Sequence, residues 1–252
     1  MIKKLITFSI LTLFSYANNF ELSGTVVSDN EKVITSRYMG YVTNVYTSEG
    51  SVVKKGSVLY EIDSSTLDSK KQEALLTLQI QKNQLNNVKT NYNRYKRLYK
   101  QDLVSKYDVE QLELNLRNIE NMIAIAEAKL KEVEILYDYL KVKAPNDGLV
   151  IKKTIKVGEM AMPSVPAIIL SDLSSLEIKT DIPESNLRNI SLGQEVDVEI
   201  SSLNLKTKGK IKAIIPNVNS TTHSFILKIS FDNKDKTVYP GMYAKINIVL
   251  DN

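Results

Sequence analysis

Few of the residues able to carry chemistry stand together in this chain. It has one histidine, His223, and no cysteine. A nucleophile–histidine–acid device would have to use His223, which lies beside Thr221 and Thr222 at the edge of an expected strand. No Gly-x-Ser-x-Gly elbow and no spaced carboxylate supports such a device, and a surface histidine is the plainer reading. Zinc lacks ligands for the same reason. Met160 and Met162 carry soft thioethers of the kind that bind Cu(I), but with no third ligand nearby two methionines more often fill a gap in a core. The expectation is a protein without catalytic residues, cofactor or metal.

Composition narrows the class further. In 252 residues, hydrophobic types make up 43% and charged types 25%, ordinary values for a folded, water-soluble body. Formal charge is +4, part of it from Lys3 and Lys4. The remaining surplus is small and dispersed, and Lys152, Lys153 and Lys156 are interleaved with apolar residues as on the wet face of a strand, so nucleic acid is not an expected partner. Lys3 and Lys4 precede an apolar run, Leu5 to Phe14, and a small-residue exit, Ser15-Tyr16-Ala17, the pattern of a cleaved secretory leader over 1–17. The run is about half the ~20 residues a spanning helix needs, which leaves an uncleaved anchor as the alternative. Without cysteine the chain can be neither a lipoprotein nor disulfide-stapled, although the leader would carry it into an oxidising compartment, so packing alone must hold it together.

The elements that would position any interaction site begin with two long helices. From Thr66 to Tyr99 and from Asp108 to Tyr139 there is no Gly or Pro, and Lys, Glu, Gln, Asn and Leu dominate. Val109, Leu112, Leu116, Ile119, Ile123, Ala126, Leu130, Val133 and Tyr137 alternate steps of three and four, a coiled-coil seam. Ala74, Leu78, Gln81, Leu85, Val88, Tyr92, Tyr95 and Tyr99 form a weaker seam interrupted by Gln81. The short link Lys100 to Tyr107 makes the two antiparallel neighbours, a hairpin over 66–140 with arms about 50 Å long. Leu76, Ile80, Leu114 and Ile125 fall off the seam, either as scattered surface residues or as a face for packing hairpins side by side.

The hairpin interrupts a repeat. Gly40-Tyr41-Val42 is followed by Gly50, and Gly148-Leu149-Val150 by Gly158 at the same interval. Each copy then enters a strand-like run ending in Asp, Leu59 to Asp63 in one and Ile168 to Asp172 in the other. Each looks like half of a flattened β-sandwich over 31–65 and 141–172, its glycines serving turns with positive φ. Beyond Ser174 strict alternation predicts antiparallel strands, which with one near Phe20 to Val27 make a six-stranded antiparallel β-barrel over 18–30 and 173–252. A short helix is expected at Glu184 to Ile190. The fold class is therefore α+β: a long coiled-coil hairpin inserted in a split, lipoyl-like sandwich, followed by a small barrel.

This order of motifs resembles the periplasmic adaptor, or membrane fusion, family (HlyD-like) that serves resistance-nodulation-division (RND) pumps. Its marks here are Glu49-Gly50, Lys55-Gly56, Ala144-Pro145-Asn146-Asp147-Gly148, Gly158-Glu159, Pro183-Glu184-Ser185 and Pro240-Gly241-Met242. Adaptors that dock on TolC-like outer-membrane channels carry Arg, Leu four positions on and Ser seven beyond, and Arg94, Leu98 and Ser105 match that pattern near the hairpin tip. The resemblance implies an inner-membrane RND or ABC transporter and a TolC-like channel as partners, and a homo-oligomer of six. Arg94 would offer its donor fork and Leu98 an apolar knob to the channel, while Ser105 would contact the channel, cap the second helix through a Ser-x-x-Asp box with Asp108, or do both. The family's fourth, membrane-proximal domain has no counterpart before Asn252, and hinge motion is expected near Asp172 to Ser175. A lipoate or biotin carrier, the rival from the sandwich, needs a modifiable lysine on a tight turn where this chain has its hairpin.

Overall fold

A computed structural model describes residues 19–216 and 223–249; the expected leader, Thr221 and Thr222 lie outside them. In chain order the first strands are β1 (Asn19–Ser28), β2 (Glu31–Ile34), β3 (Gly40–Val45), β4 (Val52–Val53) and β5 (Val58–Ile62), followed by helices α1 (Ser65–Tyr99) and α2 (Lys106–Leu140). Then come β6 (Lys141–Lys143), β7 (Gly148–Lys153), β8 (Met160–Ala161), β9 (Ile168–Ser171), β10 (Leu176–Pro183), β11 (Glu195–Ile200), β12 (Leu205–Pro216), β13 (Ser224–Phe231) and β14 (Tyr243–Val249). The described residues form two compact units, 19–31 with 171–249, and 32–170.

The first unit is a closed antiparallel barrel in the order β1-β10-β13-β12-β11-β14. Alternation along each strand sends one set of side chains inward, and Val26, Ile178, Ile182, Ile200, Leu227, Ile229, Ala244, Ile246 and Ile248 fill the centre. Closure removes the unpaired edges that an open sheet would expose. The expected helix after β10 is a 3₁₀ turn, Glu184–Asn189, with no buried residue, so nothing rewards a longer helix there.

One pairing departs from alternation. Glu177 on β10 is 2% exposed, and its carboxylate takes Lys228 Nζ at 2.6 Å and Lys212 Nζ at 3.4 Å. The same two lysines hold Asp29 at 2.7 and 2.9 Å, pulling its carboxyl from the ordinary 3.8 down to about 2, chiefly through the hydrogen bond from Lys228 and then that from Lys212. A depressed native pKa adds stability above the unfolded value and loses it as pH falls toward the native one. Acid titration from pH 4 to 2, followed by hydrogen exchange over the barrel strands, should therefore weaken this unit progressively, and Asp29→Asn should flatten that part of the profile. An unchanged profile in the variant would assign the acid sensitivity elsewhere.

The second unit joins a sandwich to the helical hairpin. Its sheets run β2-β9-β7-β4 and β6-β5-β3-β8. The two repeat copies exchange their middle strands: β4 of the first copy pairs with β7 of the second, and β8 of the second with β3 of the first. The crossing bonds repeat as well. Gly50 N–H donates to the Val150 carbonyl at 2.8 Å and Gly158 N–H to the Val42 carbonyl at 2.9 Å. Gly50 and Gly158 have φ of 82° and 86°, as a turn glycine should. Gly40 differs: it opens β3, and a Cβ there would lie 2.6 Å from Ile62 Cγ2, so close packing rather than a turn excludes a side chain. Leu59, Tyr60, Val150, Ile168 and Leu170 from both copies share one core, to which the helix roots contribute Leu67 and Leu140.

Candidate interaction site at the hairpin tip

Each helix has 35 residues, a length of about 50 Å. Both expected seams are present. Ala74, Leu78 and Val88 of α1 and Ile119, Ala126 and Val133 of α2 are buried, and the intervening seam residues are half-buried. Lys82 and Glu127 pair across the helices at 3.7 Å, an exposed contact that adds little to the apolar stripe. At the root Asp68 accepts from the Tyr137 hydroxyl, which pushes the phenol up to about 12. Leu76, Ile80, Leu114 and Ile125 are all exposed, on the faces away from the seam.

Toward the tip the seam becomes aromatic and then ends. Tyr92 and Tyr95 are half-buried, and the next residue turned inward is Leu98, not the expected Tyr99, which is exposed. A straight helix of 3.6 residues per turn drifts off a 3.5-residue repeat, and at the free end little packing supercoils it back. Leu98 thus divides its surface between the seam and solvent. Its carbonyl accepts from Gln101 N–H at 3.0 Å and Leu103 N–H at 3.1 Å, and Asp102 with φ 58° turns the chain through the link 100–105.

Ser105 caps α2. Its hydroxyl accepts from Asp108 N–H at 3.2 Å while the Asp108 carboxylate accepts from Ser105 N–H at 3.1 Å, a reciprocal box. Such a cap is worth about 1 kcal/mol and fixes where the second arm starts. Arg94 stands one turn before Leu98, exposed, with no ion pair to any described residue. Around it cations prevail: Lys96, Arg97 and Lys100 are exposed, Lys106 pairs with Glu110 at 3.2 Å, and Asp108 is committed to the cap. Leu103 and Tyr107 are the most exposed apolar residues of the tip. Periodicity could not find them, because one lies in the link and the other off the seam.

His223, the residue a catalytic device would need, is exposed and lies 3.8 Å from the Glu184 carboxylate. Among the described residues no three of His, Cys, Asp or Glu are grouped to hold a metal ion, and no helix is long and apolar enough to cross a membrane.

A coiled-coil hairpin rising from a sandwich of two exchanged halves, with a separate six-stranded barrel, defines the membrane fusion class of adaptor protein. The chain belongs to the membrane fusion, or periplasmic adaptor, family: residues 30–172 match the model described as CzcB-like, barrel-sandwich hybrid domain, and residues 177–251 the one described as CusB-like, beta-barrel domain. It is similar to the multidrug resistance protein MdtA of Proteus mirabilis, 24% identical over 234 residues that cover 89% of this chain and 57% of that protein. The chain thus spans less than two thirds of the length of such relatives. Among solved structures it resembles MacA from Actinobacillus actinomycetemcomitans, 27% identical with a TM-score of 0.67, covering 92% of this chain and 78% of that one. The membrane fusion protein Spr0693 from Streptococcus pneumoniae R6 shares the fold, with a TM-score of 0.72 at 21% identity, over 92% of this chain and all of that one.

Proposed function

We propose that this chain is the periplasmic adaptor of an RND-type tripartite efflux pump, a bridge without catalysis between an inner-membrane transporter and a TolC-like outer-membrane channel. The observation that carries the reading is the tip: Arg94 projects free of any described acid, one turn from the half-exposed Leu98, on a stiff arm whose far end is rooted in the sandwich core. A planar guanidinium without an internal partner is suited to carboxylates or carbonyls on another protein. The exposed, off-seam Leu76, Ile80, Leu114 and Ile125 support side-by-side packing of hairpins in a homo-oligomer, six copies by family resemblance. In this reading the barrel faces the transporter, and the leader directs the chain to the periplasm. The junction near Asp172 to Ser175 serves as the hinge.

Charge reversal at the tip tests the reading. In cells carrying the cognate transporter and channel, Arg94→Asp should abolish drug resistance while protein level and circular dichroism stay at wild-type values. A photo-crosslinker placed at Leu98 should capture the channel in the wild-type background. Full resistance in the charge-reversed variant, with no crosslink, would remove tip docking from the mechanism.

A further inference from the structure

The hairpin has two unlike flanks. One place after alternate seam residues stand Lys82, Lys89 and Lys96 on α1 and Glu113, Glu120 and Glu127 on α2. Lys82 and Glu127, 3.7 Å apart, fix the register, and one heptad further along the antiparallel arms Lys89 comes level with Glu120, then Lys96 with Glu113. That flank is a ladder of opposite charges. One place before the other seam residues stand Thr77, Gln84 and Asn91 on α1 and Asn115, Met122 and Lys129 on α2, all exposed. Lys129, near the root, is the one charge among these, and it pairs with Glu132 at 2.7 Å. Solvated coiled coils commonly carry charge on both flanks, so an uncharged one calls for a cause.

The exposed apolar residues off the seam show which way the flanks turn. At about 3.5 residues per turn Leu76 and Leu114 stand opposite the seam, and Ile80 and Ile125 lie about 50° round from that line toward the uncharged flank. Seam and apolar strip are therefore about 150° apart across the uncharged flank and about 210° apart across the charged one. In a closed ring each helix touches its two neighbours at less than 180° on the concave side, and an even ring of two helices from each of six copies needs about 150° there. The register of Lys82 with Glu127 also places Ile80 within about one turn of the height of Ile125, so copies standing level can bring the two together. We propose that, in the side-by-side homo-oligomer on which this inference rests, the strip with Leu76, Ile80, Leu114 and Ile125 packs against a second copy of the chain, the uncharged flank lines the lumen, and the lysine–glutamate ladder faces the periplasm. Asn and Gln amides offer donors and acceptors without charge, so cationic, anionic and neutral solutes pass with no ion pair to hold them. A charge on this flank would be repeated by every copy as a ring, the device by which pores select ions.

The lack of native cysteine makes the test direct. Asn91→Cys and Met122→Cys probe the uncharged flank, Lys89→Cys and Glu120→Cys the charged one, each in the pump extracted intact from cells that carry the cognate transporter and channel. A maleimide on a polyethylene glycol chain too bulky to pass between helices should modify the Lys89 and Glu120 positions and spare the other two. A small maleimide should reach all four, and the free chain should accept the bulky reagent at every position. Drug export gives a second reading: Asn91→Lys should lower resistance to cationic compounds by about fourfold or more and leave neutral ones unaffected, whereas Lys89→Gln should change neither. Exclusion of the bulky reagent from the charged flank alone would overturn the assignment of the lumen while leaving the packing of hairpins in place. Equal reactivity of both flanks in the intact pump would overturn that packing, and the assignment with it.

Discussion

Leu67→Ala should lower the stability of the sandwich and hairpin unit by about 3 kcal/mol, although the residue lies in the first turn of a helix that is otherwise mostly exposed. Leu67 is 0% exposed and belongs to the sandwich core together with Leu140, the last residue of α2, and with residues of both repeat copies. A long coil with only one buried stripe on each helix gains little orientation from its own seam. The two leucines at its root fix it to a body that cannot move aside, so truncation should leave a cavity that the surrounding β-sheets cannot collapse into. Urea unfolding monitored by hydrogen exchange would detect the loss, with protection in the first turns of α1 falling first. The control is Leu76→Ala, same chemistry on the same helix but exposed, which should change stability by no more than about 0.5 kcal/mol. Similar losses from the two variants would mean that the root is not a rigid joint.

Gly24→Val should prevent the barrel from closing while leaving the other unit folded. Gly24 sits on β1 with Thr180 on one side and Ala244 on the other, so both neighbouring strands approach it. A Cβ at this position would lie 2.6 Å from Ile178 Cγ2, 2.8 Å from Ile246 Cδ1 and 3.0 Å from the Lys179 carbonyl oxygen. Both isoleucines are fully buried in the middle of the barrel, with no solvent side to turn toward. Overpacking a filled core costs about 1–3 kcal/mol for a single methyl, so Gly24→Ala should already be measurably weaker and the branched valine should exceed what a small barrel can absorb. Exchange protection of β10 and β14 is the readout, with α2 as the internal control. Native protection in the valine variant would show that the barrel breathes enough to admit a side chain.

The parts of this fold that were legible in the sequence are those whose signal is local and repeated. The α2 seam reads without a break because every third or fourth residue from Val109 to Tyr137 is apolar, and the structure turns those residues inward. The Ser105 to Asp108 box is equally local. The strand exchange between the repeat copies was not readable: β4 and β8 have two residues each, too few to carry a period, and their partners lie on the far side of the hairpin. Glu177 looks like an outward residue in an alternating strand, and only Lys212 and Lys228, on strands distant in sequence, explain how a carboxylate is tolerated at 2% exposure. At the tip, Arg94, Leu98 and Ser105 were found by resemblance, whereas Leu103 and Tyr107 emerged only from their exposure.

The barrel's seam has a kinetic consequence. Gly24 near the start of the chain must meet both Thr180 and Ala244 before the cylinder is complete, and the whole hairpin and sandwich intervene. Loop-closure entropy delays such distant encounters, whereas α1 and α2 can zip from their common turn as soon as both emerge. The helices should therefore assemble early and the cylinder last. Until then β1 waits as an unpaired ribbon, the segment of a nascent chain most in need of a holding chaperone.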